Sequence, residues 1–171
     1  MFDPRQVGAG LAAGPWSHIN QWESAMFKRI LVPVDGSATS SKALTKALQL
    51  ARELGSNVRL LHAIDELVYV NTYNYSPALM EEVREGAAKV LTDALEVAKS
   101  AGVAADTQLV DQPAQRLGAT VTKVATDWGA DLIVLGTHGR RGFSRLVMGS
   151  GADQIIREAK VPVLTIRSDE L

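Results

Sequence analysis

The hydrophobic residues of this chain fall into short continuous runs that alternate with amphipathic stretches. Continuous apolar runs rich in β-branched residues and leucine are typical of strands that are covered on both faces. Such runs occupy 29–34, 57–64, 103–110 (the weakest), 131–136 and 161–167. Between them, apolar residues recur every three or four positions, which predicts helices. These helices cover 37–54, 76–102, a stretch from Pro113 to 128, and 150–160.

The residues that flank these helices agree with the periodicity. Gly55 and Gly102 follow two of the apolar stripes, where a helix commonly ends in a left-handed glycine. Ser76-Pro77 has the side chains expected of an N-cap and a first helical position, and Pro113 is suited to open the third helix.

Strands that alternate with helices predict a doubly wound α/β fold with a parallel sheet and right-handed crossovers. If the strand order is 3-2-1-4-5, strands one and four are neighbours at the point where the order reverses. Ligands of such sheets bind there, beyond the carboxyl ends of the strands. The loops "VPVDGS" (32–37) and "GTHGRRG" (136–142) would then face one crevice.

Composition excludes several classes of protein. The chain has 171 residues, 46% of them hydrophobic, and a net charge of −1, which indicates one soluble globular domain without a nucleic-acid surface. The lack of cysteine excludes disulfides, thiolate catalysis and cysteine-bound zinc. No apolar run approaches the roughly 20 residues of a membrane helix. We expect a reducing, cytoplasmic compartment.

The first 25 residues differ from the rest, because glycine and proline interrupt them and no periodicity is sustained. They are either a loose arm, or the product of an upstream start codon, or an arm that packs on a partner chain through Trp16 and Trp22. We favour the first two interpretations, and place the domain at 26–171 with Met26 at its start.

The glycines after strand four predict a phosphate-binding turn. Gly136 and Gly139 would let the backbone leave the strand sharply and approach a ligand without an intervening Cβ. Gly149-Ser150 then opens a helix, and Ser150 to Asp153 fits a capping box with Ser150 as N-cap. The N–H groups and dipole at a helix start favour a bound phosphate.

The common phosphate-binding motifs are missing, since neither G-x-x-x-x-G-K-[ST] nor G-x-G-x-x-G occurs in the chain. Without a P-loop lysine, phosphate charge would be met by backbone N–H groups, by a metal, or by Arg140 and Arg141.

Gly136-x2-Gly139-x9-Gly149-Ser150 resembles the nucleotide signature G-x2-G-x9-G-[ST] of the universal stress protein family. "ILVPVDGS" (30–37), "LLHAID" (60–65) and "VPVLTIR" (161–167) resemble other landmarks of that family, in the same order, so the match covers about 26–167. The resemblance implies a five-stranded sheet of order 3-2-1-4-5 with four helices, like that of adenine nucleotide hydrolases. It also implies binding of ATP, or of AMP or ADP, without a dedicated reaction.

The resemblance also implies roles for individual residues. Pro33, Val34 and Asp35 would line the crevice, and the Asp35 carboxylate would hold ribose hydroxyls or a phosphate-bound Mg²⁺. The Ala63 backbone would meet the adenine edge, and Gly136 would lie near the ribose. The residues expected at the phosphates are Gly139, Gly149 and Ser150, with His138, Arg140 and Gly151 beside them.

Each role has a simpler alternative. Asp35 could support only the turn, and His138 and Arg140 could be solvated loop residues, as could Arg141 and Arg145. Gly151 departs from many relatives, which carry a bulkier residue there; it either loosens the helix start or lets a phosphate sit closer. His62 is expected to be a satisfied core residue. The tyrosines at 69, 73 and 75 could form a lid or pack on another subunit.

The resemblance further implies a twofold homodimer through the edge strand 161–167, because exposed apolar edges invite pairing. Three functions stay open. The first is a nucleotide-dependent stress-response module that acts on an unknown protein partner. The second is a slow ATPase or phosphotransferase, against which no base is evidently placed. The third is a dimeric scaffold whose crevice stays empty.

Overall fold

The computed structural model describes residues 26–64, 76–111, 116–137 and 149–167. The arm 1–25, the three tyrosines and Pro113 lie outside these ranges. Within them the strands are β1 (Arg29–Pro33), β2 (Asn57–Ile64), β3 (Ala105–Asp111), β4 (Leu132–Gly136) and β5 (Val163–Ile166). The helices are α1 (Ala38–Leu54), α2 (Pro77–Ser100), α3 (Leu117–Trp128) and α4 (Ser150–Glu158).

The strands form one parallel sheet in the order β3-β2-β1-β4-β5, as predicted. β1 lies at its centre, where Ile30, Leu31 and Val32 are fully buried. Ile30 and Val32 face a core built with α1 and α2, whereas Leu31 faces one built with α3 and α4. Cover on both faces explains why β1, β2 and β4 are almost continuously apolar in sequence.

The helix ends follow the predicted chemistry at three places. The Ser37 side chain caps α1 and accepts from the Ser40 N–H, and Gly55 ends that helix with a φ of 65°. Ser76 caps α2 with Pro77 in the first turn. The bounds of β3 and β5 differ from the predicted ones by one to two residues, because both are edge strands whose ends pair on one side only.

The capping box at Ser150 is wrong. Gly149 is the N-cap of α4, and Ser150 is the first residue inside the helix. The Asp153 N–H donates to the Gly149 carbonyl at 3.0 Å, so it is not available to the Ser150 hydroxyl. The Asp153 carboxylate instead pairs with Arg157 one turn later, at 2.9 Å.

No helix among the described residues is long and apolar enough to cross a membrane.

A single carboxylate fixes the start of the central strand. Asp131, just before β4, accepts from the backbone N–H of Lys28 at 2.7 Å and from that of Arg29 at 2.9 Å. Asp131 also donates its own N–H to the Arg29 carbonyl at 3.0 Å. The two neighbouring strands at the switch point are therefore held in register at their amino ends.

We expect Asp131→Ala to lower the free energy of unfolding by about 2 kcal/mol, because two backbone donors lose a charged acceptor. Urea denaturation measures the change. Asp127→Ala is the matched control, because Asp127 forms an exposed pair with Lys123 and its loss should cost less than about 0.5 kcal/mol. Equal midpoints for the two variants would contradict the role of Asp131.

Candidate functional site

The crevice expected from the sequence lies where the strand order reverses. β1 and β4 are hydrogen-bonded neighbours, while the chain continues from β1 to β2 on one side and from β4 to β5 on the other. The β1–α1 loop and the end of β4 therefore emerge side by side at the carboxyl edge of the sheet. This is the usual ligand position in doubly wound sheets.

The β1–α1 loop is shaped by hydrogen bonds among its own residues. The Asp35 carboxylate accepts from the Ser37 N–H at 2.9 Å, and the Asp35 N–H donates to the Ser40 hydroxyl at 3.2 Å. Gly36 has a φ of 77°, a conformation that residues with a side chain rarely adopt, and a Cβ on it would lie 3.2 Å from Cγ2 of Val90 in α2. The turn-supporting role of Asp35 is therefore observed, and its ligand role stays a prediction.

His62 is a satisfied core residue, as predicted. It is buried in β2, and its Nδ1 lies 2.7 Å from the Val34 carbonyl. Because a carbonyl can only accept, Nδ1 carries the proton. Val34 is itself buried, and Pro33 before it is half-buried, so these two residues form the floor of the loop.

The backbone of Ala63 faces the end of β1. The Val34 N–H donates to the Leu61 carbonyl at 2.8 Å, beyond Pro33, the last paired residue of β1. In a parallel ladder, residues two apart present their backbone groups to the same neighbouring strand. The N–H and C=O of Ala63 consequently point past the end of β1, toward the crevice.

Gly136 is required by packing. A Cβ on Gly136 would lie 2.8 Å from the carbonyl carbon of Thr39 and 2.9 Å from its oxygen. Its φ is outside the left-handed region, so no sharp turn depends on it. On this side the close approach that Gly136 allows is to the first turn of α1, and the predicted place of Gly136 near the ribose stays a prediction.

Thr137 and Gly149 bring the end of β4 to the start of α4. The Gly149 N–H donates to the Thr137 carbonyl at 2.8 Å, and the buried Thr137 donates its own N–H to Ile166 of β5 at 2.9 Å. The Gly149 amide is therefore already paired, and the predicted place of Gly149 at the phosphates stays a prediction that does not use this N–H. Gly149 can still offer its Cα surface to a ligand.

The N–H groups that lie ahead of the helical ladder at this helix start belong to 150–152. The Asp153 N–H makes the first bond of the helix, to Gly149, so the three preceding N–H groups come before the helical ladder. Ser150 is exposed, Gly151 half-buried and Ala152 buried. The amides of Ser150 and Gly151 are accordingly the best placed to meet an anion from solvent.

Two close approaches between α3 and α4 escaped the sequence analysis. A Cβ on Gly151 would lie 2.6 Å from Cδ2 of Leu117, and a Cβ on Gly118 would lie 2.8 Å from Cβ of Gln154. On this side the lack of a Cβ at Gly151 makes room for Leu117, and the place of Gly151 beside the phosphates stays a prediction. An isolated glycine inside the α3 pattern was the available signal for Gly118.

The other predicted site residues, His138, Gly139 and Arg140, lie outside the described residues, as do Arg141 and Arg145. Among the residues that the structure describes, no three histidine or acidic side chains cluster as a metal site would require. The Mg²⁺ role of Asp35 therefore stays a prediction, and it would depend on oxygens of the ligand itself.

A second concavity, of about 380 Å³, lies at the amino ends of the strands, on the side of the sheet away from the crevice, beside Asn57 and Trp128. The Arg59 guanidinium donates to both carboxylate oxygens of Asp106 at 2.7 Å, and this hydrogen bonding raises the pKa of Arg59 above its ordinary value. Arg59 and Arg29 also stack on Trp128, at 4.8 and 5.5 Å from the ring centre. Because these groups satisfy one another, we assign no ligand to this concavity.

Comparison with known proteins identifies relatives over nearly the whole domain. The profile of the universal stress protein family matches residues 26–167. A Staphylococcus epidermidis protein assigned to the universal stress proteins is 32% identical over 146 residues, which are 85% of this chain and 87% of that protein.

Solved structures agree with this match. A universal stress protein family member from Burkholderia pseudomallei is 32% identical, with a TM-score of 0.69 over 84% of this chain and 98% of its own. The universal stress protein from Archaeoglobus fulgidus in complex with dAMP has a TM-score of 0.60 over 83% of this chain and 99% of its own. At 22% identity, that likeness shows the fold.

We expect Gly136→Ala to destabilise the protein by about 2 kcal/mol, because the added methyl group meets the backbone of α1. Thermal and urea unfolding measure the loss. Gly86→Ala is the control: Gly86 lies in α2 with no atom within 4 Å of its Cβ position, so alanine there should stabilise by up to about 1 kcal/mol. If Gly136→Ala unfolds at the wild-type midpoint, the packing explanation is wrong.

Proposed function

The chain belongs to the universal stress protein family, and we propose that it binds ATP or a related adenine nucleotide between the β1–α1 loop and the start of α4. The observation that carries the proposal is the hydrogen bond from Gly149 to Thr137. It brings a helix N-terminus to the carboxyl end of the strand next to β1, where a nucleotide could span both loops. The dAMP complex of the Archaeoglobus fulgidus protein supports the choice of ligand class.

The adenine and ribose would lie on the β1 side. The backbone N–H and C=O of Ala63 would bond the adenine edge, over a floor formed by Pro33 and the buried Val34. The loop that carries Asp35 is already fixed by its bonds to Ser37 and Ser40, so its carboxylate would meet the ribose hydroxyls with little ordering cost. Gly136 would contribute only its remaining backbone surface.

The phosphates would lie on the α4 side. The N–H groups of Ser150 and Gly151 and the Ser150 hydroxyl would donate to them, with the helix dipole favouring their charge. Gly139 would bring the preceding loop close, and Arg140 and His138 would add charge or hydrogen bonds. The Asp35 carboxylate would hold a phosphate-bound Mg²⁺, which would offset part of the phosphate charge.

We further propose that the protein acts as a cytoplasmic homodimer whose partner binding responds to the nucleotide. β5 is an edge strand, and Leu164 on it is 40% exposed, while Ile156 of the adjoining α4 is 37% exposed. Apolar side chains beside an unpaired edge favour pairing with a second copy through 161–167. Because α4 adjoins this edge, a nucleotide at its start could alter the dimer surface.

We expect calorimetry to show one ATP bound per chain, more tightly with Mg²⁺ than without, and weaker binding of AMP. Phosphate release measured over hours should stay at the buffer level. Gly139→Val should abolish the ATP heat while thermal unfolding stays within a few degrees of wild type. Steady phosphate release would indicate the hydrolase instead, and the absence of any binding heat would indicate the empty scaffold.

Asp35→Asn separates the turn role of this residue from its ligand role. The amide oxygen can still accept from the Ser37 N–H, so we expect unchanged stability. Loss of the charge should weaken Mg-ATP binding about tenfold, because hydrogen bonds and ion contacts to charged groups are the strong ones. Asp93→Asn, in an exposed pair with Lys89 on α2, is the control and should bind like wild type. Unaltered affinity in Asp35→Asn would restrict Asp35 to the turn.

A further inference from the structure

α3 and α4 cross so closely that a Cβ at either of two glycines would meet the other helix. The Cβ position of Gly151 lies 2.6 Å from Cδ2 of Leu117, and that of Gly118 lies 2.8 Å from Cβ and 2.9 Å from the carbonyl carbon of Gln154. The Gly118 N–H also donates to the Gln154 side-chain oxygen at 3.3 Å. The start of α3 therefore lies close against α4 at two neighbouring points, against the side chain of Leu117 at Gly151 and against the backbone of Gln154 at Gly118.

This contact matters more for α4 than for a longer helix. α4 has nine residues, too few for a helix to be stable by itself in water, so tertiary contacts determine where it lies. Its buried residues, Ala152 and Ile155, face the core shared with α3. Leu117 packs against that core and contacts α4 at Gly151, within the turn whose N–H groups precede the helical ladder.

We propose that Leu117, seated against Gly151, is a positioning residue that holds the start of α4 where its N–H groups meet the phosphates of the nucleotide. Leu117 would do so from the far side of the turn, without touching the ligand. The inference rests on the proposed nucleotide binding. It adds which contact determines the share of the affinity that comes from the phosphates. A change at this contact should therefore alter the affinity for ATP and leave the affinity for adenosine, which has no phosphate, nearly unchanged.

The test is a double-mutant cycle with Gly151→Ala, Leu117→Ala and the combined variant, each titrated with ATP and with adenosine by calorimetry. We expect Gly151→Ala to weaken ATP binding about tenfold, because the new methyl group would lie 2.6 Å from Cδ2 of Leu117, so that either Leu117 turns out of its seat or the helix start moves. Adenosine affinity should change less than about threefold. Leu117→Ala alone empties the seat and should also weaken ATP binding. In the combined variant the new methyl group at position 151 takes part of the space that the Leu117 side chain leaves, so ATP affinity should recover to within about threefold of wild type.

Two further measurements keep the outcomes distinct. Gly86→Ala adds the same methyl group to an open helical position and should bind both ligands like wild type. If Gly151→Ala does not fold, Leu117→Ala by itself should still lower the ratio of ATP to adenosine affinity. Variants that lose stability but keep the wild-type ratio would overturn the positioning role alone. A wild-type protein that binds neither ligand would overturn the proposed function, and the positioning role with it.

Discussion

The arrangement of this site depends on the backbone of one buried residue, Thr137. Its N–H donates to Ile166 of β5, and its carbonyl accepts from Gly149 at the start of α4. The end of β4, the edge strand and the last helix therefore meet at one peptide unit. Because both groups are paired away from water, moving any of the three elements would cost a buried hydrogen bond. The helix start is consequently held at the carboxyl edge of the sheet, beside the loop that follows β1.

Much of the fold could be predicted from the sequence because its signals are local. The period of the apolar residues separates strands from helices, and Ser76-Pro77 and Gly55 act on backbone groups within one turn of themselves. The continuous apolar run of β1 reports cover on both faces, as observed. The order of the strands in the sheet could not be predicted from such local signals. Alternation alone allows several orders, and 3-2-1-4-5 followed from the family resemblance before the sheet confirmed it.

The roles of the glycines could not be predicted, because a glycine needed by a ligand and one needed by a neighbouring helix look alike in sequence. Gly136 has Thr39 against it, and Gly151 has Leu117, partners that are distant along the chain. The prediction of Ser150 as the N-cap of α4 was wrong for a related reason. Ser150 and Asp153 have the spacing of a capping box, but the tertiary bond from Gly149 to Thr137 starts the helix one residue earlier and leaves Asp153 to pair with Arg157.

The two sides of the crevice are therefore supported differently, which bears on how a nucleotide would be held. The β1–α1 loop is stiffened by short-range bonds among Asp35, Ser37 and Ser40, so its shape is built before any ligand arrives. The start of α4 is placed by its bond to Thr137 and by contacts with α3, which follows β3 at the far edge of the sheet. The loop is held in shape by bonds among its own residues, whereas a helix that shifts against its neighbour carries all of its residues with it. The adenine ring and the ribose would accordingly meet a surface shaped by local bonds. The phosphates would meet a surface whose position depends on the bond to Thr137 and on how α3 packs against α4.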